Sequence, residues 1–198
     1  MMTGPSSPDD RHPTLVRRGA VRQDAEGRFD LARFEDMIAA HPQVRMIEIK
    51  LSQGAKPGLG GLLPAAKVTP EIAALRGVPE GVDCWSPAQH SAFRDADSLL
   101  DFIELLATES GLPVGIKSAV GQLDLFRDLA AAMATGERGV DFVNIDGGEG
   151  GTGAGPLVFT DYVALPFKVA FSRVYRVFAE AGVHEDVVFT GAGKLGLP

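Results

Sequence analysis

Hydrophobic residues recur along this chain at two spacings, and the two spacings take turns. Over residues 30–40, "DLARFEDMIAA", Leu31, Phe34 and Ile38 fall at helical period behind Asp30, a candidate N-cap, and His41-Pro42 ends the pattern. The next stretch alternates instead. Ile47, Ile49 and Leu51 share one face of a strand while Met46, Glu48 and Lys50 share the other, until a Gly/Pro loop breaks the pattern near Ser52. Residues 70–76 read as a short helix and 81–93, "GVDCWSPAQHSAF", as largely loop. Asp95 or Asp97 then caps a helix carrying Leu99, Phe102, Ile103 and Leu106, which stops at Gly111. "LPVGIKSAV" follows as a second strand. A helix over 123–137 places Leu125, Phe126, Leu129, Ala130 and Met133 on one stripe, and "GVDFVNIDGG" is a third strand. One long helix within 161–181, with Phe167, Phe171, Val174 and Phe178 on one side, leads to a fourth strand, "DVVFTGAG".

Repeated strand–helix alternation implies parallel strands joined by crossover helices, so the expected fold class is α/β. Lys50, Lys117, Asn144, Asp146 and Thr190 all fall near strand C-terminal ends, on the face opposite to most of the aliphatics. A (β/α)8 barrel of the TIM type makes that division, apolar residues outward under helices and polar groups inward at the mouth. An open doubly wound sheet is the alternative, and it too binds ligands at strand C-termini. About four βα units make a partial barrel, whose open edges would favour self-association. The chain is therefore expected to be an internal piece of a longer protein, with a loose polar tail over 1–21 and the partial barrel domain over 22–198.

Composition narrows the function classes. A net charge of −7 with a single basic cluster, Arg17, Arg18 and Arg22, argues against a nucleic-acid surface. No apolar run approaches the roughly 20 residues of a membrane span, and "MMTGPSSPDDRHP" has no apolar core of a secretory signal, so a cytoplasmic protein is expected. One cysteine, Cys84, is too few for a zinc site or an iron–sulfur cluster.

The candidate chemistry gathers at the strand ends. "NIDGGEGGTGAGP", 144–156, holds six glycines in thirteen residues. Glycines there would adopt positive φ at little steric cost and let a ligand approach backbone N–H groups, although a surface loop has the same composition. The spacing G-x-G-x-x-G occurs at Gly148, Gly150 and Gly153, but a loop is expected after it where a dinucleotide fingerprint needs a helix. Lys117 is the sole charge of its strand, either paired with a carboxylate or reserved for an anionic ligand. Lys50 and Lys56 flank "SQGA" and would complete an anion site, unless Lys50 pairs with Glu48 on its own face. His90 reads as a satisfied histidine rather than a base. No nucleophile elbow, zinc triad or paired carboxylates support hydrolysis.

Taken in order, "MIEIKLSQGAKPGLGGLLPAAKV", "SPAQH", "VGIK" and "DGGEGGTGAGP" resemble the FMN-binding barrel domain of the glutamate synthase family, above all its short stand-alone type, over roughly residues 22–193. The resemblance implies FMN as cofactor, and 2-oxoglutarate and ammonia as substrates that reduced flavin converts to glutamate. It places Lys117 beside the electron-poor edge of the flavin. The glycine loop, Asp146, Gly147, Gly148, Glu149, Gly150 and Gly151, falls at the cofactor mouth, with Glu149 where aspartate is usual. Gly191 and Gly193 correspond loosely to phosphate-loop glycines. Lys50 and the "KPGLGG" loop, including Lys56, Gly60 and Gly61, would face the oxo acid. Leu62 stands where the large glutamate synthases carry a glutamine that helps bind 2-oxoglutarate. The family's iron–sulfur cysteines are not encoded in this chain.

Three functions follow as expectations: part of an FMN-dependent oxidoreductase with little or no activity alone, a non-catalytic half-barrel that pairs with another half or with itself, and a phosphate-binding barrel segment of another enzyme class.

Overall fold

A computed structural model describes residues 28–57, 62–76, 78–85, 90–151, 157–193 and 195. The tail expected over 1–21 lies outside the described residues. In chain order the elements are α1 (Leu31–Ala40), β1 (Ile47–Lys50), β2 (Leu62–Leu63), α2 (Pro70–Arg76), β3 (Cys84–Trp85), α3 (Ala96–Ser110), β4 (Val114–Ser118), α4 (Asp124–Met133), β5 (Phe142–Asp146), α5 (Leu157–Tyr162), α6 (Phe167–Glu180) and β6 (Val188–Ala192).

The four long strands form one parallel sheet in the order β1-β4-β5-β6, and β2 and β3 form a small antiparallel ladder inserted between β1 and α3. Residues 81–93 are thus not wholly loop. Cys84 and Trp85 pair with Leu63 and Leu62, a two-residue pairing too short to leave an alternating pattern in sequence.

Caps and stops behave as the sequence suggests. Asp30 accepts from Arg33 N–H at the start of α1. Asp95, not Asp97, caps α3 in a reciprocal arrangement with Ser98, and Gly111 ends that helix at φ 65°. The long helix expected within 161–181 is α6, and it starts only at Phe167, because Pro166 cannot donate a backbone hydrogen bond and disfavours helical geometry at Leu165.

Register decides which face does what. Ile47, Ile49, Val114, Ile116, Val143 and Ile145 are buried in one core with Phe34 of α1, Leu99, Ile103 and Leu106 of α3, Phe126 and Leu129 of α4, and Val174 and Phe178 of α6. Neighbouring helices touch in the sequence α1, α3, α4, α6. All four therefore cover the same face of the sheet. A doubly wound sheet needs helices on both faces, whereas a barrel keeps them on the outside. The architecture is a partial βα barrel, with its other face turned to the inside of the curve.

Candidate functional site

One row of that inner face runs straight across the sheet. Lys50 is the Cα partner of Lys117, Lys117 of Asn144, and Asn144 of Thr190. Cross-strand partners point to the same side, so strand register alone puts two ammonium groups, a carboxamide and a hydroxyl in line. A row below, Gly115 lies between Glu48 and the buried ring of Phe142, and a Cβ at Gly115 would overlap that ring. The bare glycine leaves room for the phenyl group on the crowded inner face.

The charges of the row are held by specific partners. Lys117 Nζ lies 3.4 Å from Asp146 Oδ1, with the lysine side chain one-fifth exposed and the aspartate nearly buried. Of the two readings of Lys117, the fold supplies the carboxylate one. Asp146 Oδ2 accepts from Gly54 N–H at 2.7 Å, so one carboxylate ties β4, β5 and the loop after β1 together. Lys50 Nζ donates to Gln53 Oε1 at 2.9 Å, while Glu48 accepts from Asn144 Nδ2 at 2.7 Å. That second bond fixes the amide: its NH₂ must face the carboxylate, which turns Oδ1 to the other side. Asn144 Oδ1 is buried and accepts from no group among the described residues.

Backbone contacts close the mouth. Ser52 Oγ accepts from Ala119 N–H at 2.8 Å and lies 3.2 Å from Ser118 Oγ, latching the loop after β1 to the loop after β4. Gly147 N–H donates to Ala192 O, Gly148 N–H to Leu165 O, and Leu165 N–H to Val120 O. His90 Nε2 lies 3.0 Å from Lys50 O and must be the protonated nitrogen, since a carbonyl only accepts; the ring stacks on Phe93 at 4.7 Å. His90 is a satisfied histidine.

Gly147 and Gly148 serve close approach, not unusual backbone. Gly147, Gly148, Gly150 and Gly151 are absent from the positive-φ glycines, which include Gly193 at φ 133°. A Cβ on Gly147 would stand 2.6 Å from Phe167 Cβ, and one on Gly148 2.8 Å from Ala164 O. Gly193 packs beside Gly147, and Gly150 lies close to both. Gly151 has open space around it, and Gly191 faces outward against the Phe167 ring. Both oxygens of the Glu149 carboxylate accept from Phe167 N–H. Lys56 sits half-buried in the loop after β1, and Gly60 and Gly61 lie outside the described residues. The run after the glycines, 152–156, is also outside them, and the six-residue helix α5 begins at Leu157, where a loop was expected.

Sequence reasoning offered Glu48 only as a partner for Lys50 and did not single out Ser52, Gly54, Gly115 or Ser118. Gly54 meets Asp146 across 92 positions, and nothing local in "SQGA" announces the contact.

Residues 3–198 match the family described as the conserved region in glutamate synthase. The chain belongs to the glutamate synthase family. It is 40% identical over 177 residues to an archaeal glutamate synthase [NADPH] of Methanocaldococcus jannaschii, covering 88% of this chain and 33% of that protein. Identity to a glutamate synthase large subunit-like protein of Bacillus subtilis is 36% over 156 residues, 79% of this chain and 30% of the relative. A ferredoxin-dependent glutamate synthase of Pyropia yezoensis is 33% identical over 179 residues, 89% of this chain and 11% of its own length. The chain thus spans about a third of the archaeal-type relative and a smaller share of the ferredoxin-dependent one.

Proposed function

We propose that this glutamate synthase family member forms the flavin-facing part of a cytoplasmic oxidoreductase that aminates 2-oxoglutarate with ammonia to give glutamate, and that it has little activity alone. The observation that carries the reading is the Lys117–Asp146 pair, set in a polar row at strand C-terminal ends on the face turned away from the helices. That is where barrel active sites are built.

The residues present fit FMN. An ammonium with three donors, ion-paired with Asp146, suits a ring carbonyl, and the buried Asn144 Oδ1 suits a neighbouring ring N–H. A buried acceptor with no partner costs about 1–3 kcal/mol, which a ligand donor would offset. Bound FMN supplies the hydride. The chain's own part is electrostatic: Lys117 places a positive charge at the face, Asp146 orients Lys117, and the Gly54 N–H holds Asp146 still. Lys50 and Lys56 would receive the carboxylates of the oxo acid. Leu62, about 42% exposed in β2, offers no hydrogen bond, so recognition there falls to the two lysines.

The test is flavin fluorescence during titration of FMN with the purified chain. Saturable quenching is expected, with Lys117→Met weakening the affinity about tenfold, or about 1.4 kcal/mol. Absence of quenching up to millimolar protein, or an unchanged affinity in the variant, would reject the reading. A second reading, a half-barrel that pairs with another half, draws on one observation: β6 has no neighbour beyond it among the described residues, and Val188 on its inner face is 63% exposed.

A further inference from the structure

Helix α6 starts without a cap of its own. Pro166 occupies the N-cap position and makes no side-chain hydrogen bond. The N–H groups of Val169 and Ala170 are answered by Pro166 O, at 3.0 and 2.9 Å. The N–H of Phe167, one of the four that a helix start leaves open, is answered from 18 residues earlier in the chain. Glu149 Oε1 and Oε2 accept it at 2.9 and 2.8 Å. A carboxylate also complements the positive end of a 14-residue helix.

Glu149 lies in the middle of the glycine loop, and its neighbours lean on the same platform. Gly147 and Gly148 pack so closely on Phe167 and Ala164 that neither has room for a Cβ, and Gly148 N–H donates to Leu165 O at 3.0 Å. The platform is itself fixed, since Leu165 N–H donates to Val120 O at 2.8 Å. The side chain that caps α6 is therefore also the one long anchor in a run otherwise made of glycine.

We propose that Glu149 is a positioning residue, which docks the glycine loop onto the start of α6 and so sets where Gly147 to Gly151 lie at the mouth. Only the consequence for FMN rests on the function proposed above; the docking itself does not.

Amide hydrogen exchange on the full chain separates the two. In the unsubstituted protein the Phe167 and Gly148 amides should both be protected. Glu149→Ala should expose both, and Glu149→Gln, which keeps an acceptor oxygen, should restore most of the protection. If Glu149→Ala exposes Phe167 but leaves Gly148 protected, Glu149 is a helix cap that does not hold the loop, and the proposal falls. It falls equally if neither amide responds. FMN titration adds the second arm: Glu149→Ala should raise the Kd about tenfold, and Glu149→Gln much less. A drop in melting temperature with unchanged Kd would limit the residue to a structural role and overturn its effect on the mouth. Should the unsubstituted chain show the exchange pattern yet take up no FMN, the flavin reading fails and the docking role stands.

Discussion

A Cβ added at Gly54 would overlap the carbonyl oxygen of Gly147 and stand 2.7 Å from Asp146 O. Both obstacles are backbone of another strand end, so neither can swing aside. The same residue gives its N–H to Asp146 Oδ2, which steadies the partner of Lys117. Gly54→Ala should therefore destabilise the chain by about 1–3 kcal/mol, as overpacking of a close contact does. Gly151→Ala is the control: a Cβ there meets nothing within 4 Å, and its effect should stay within about 0.5 kcal/mol. Urea unfolding of both variants decides the matter. Equal midpoints would mean that the contact between the two loops is not a close-packed one in solution. The pair also separates what a glycine-rich motif shows in sequence from what it hides. Composition marks Gly54 and Gly151 alike, whereas only the fold reveals which of them has backbone against it.

Among the elements, α3 ties chemistry to pH most directly. Hydrogen bonds from the Ser98 hydroxyl and the Ser98 backbone N–H, with the nearby Arg94 guanidinium, hold the Asp95 carboxyl below its ordinary value of 3.8. A carboxyl depressed on folding adds stability at pH values above its unfolded pKa, and that stability is lost as the pH falls through the folded one. Acidification from neutral pH to below 3.8 should thus weaken the cap. Asp95→Asn keeps a capping oxygen without the charge. The variant should lose less stability than the parent between neutral pH and pH ~3. Parallel acid curves for the two proteins would show that ionisation of Asp95 does not matter. Much of this level of structure was legible in sequence. Asp30, Gly111 and the periods of α1, α3 and α4 announced themselves because caps and stripes are local. Pro166 was visible too, yet the spacing of Phe167, Phe171, Val174 and Phe178 belongs to one helix that starts after it, and periodicity cannot show where a helix begins. What stayed illegible was the pairing of groups far apart in the chain: Glu48 with Asn144, Lys117 with Asp146, Glu149 with Phe167.

For the whole molecule, the sheet edges set the behaviour. Beyond β6 no strand follows among the described residues, and the inner face of that edge presents Val188, 63% exposed. Its outer face carries Phe189 within a ring cluster with Phe171, Tyr175 and Phe178, and Tyr175 is still 41% exposed. Unpaired backbone flanked by exposed apolar side chains is a template for another strand. In isolation the chain should therefore associate through β6, and sedimentation should show a mass that rises with concentration. Natural edges are blunted by inward-pointing lysine, so Val188→Lys is the informative change. At an exposed position it should cost little folding stability, within about 0.5 kcal/mol, yet shift the protein toward monomer. If instead the parent chain stays monomeric at every concentration, the edge is not a pairing surface. A variant that associates as the parent does would move the contact away from β6.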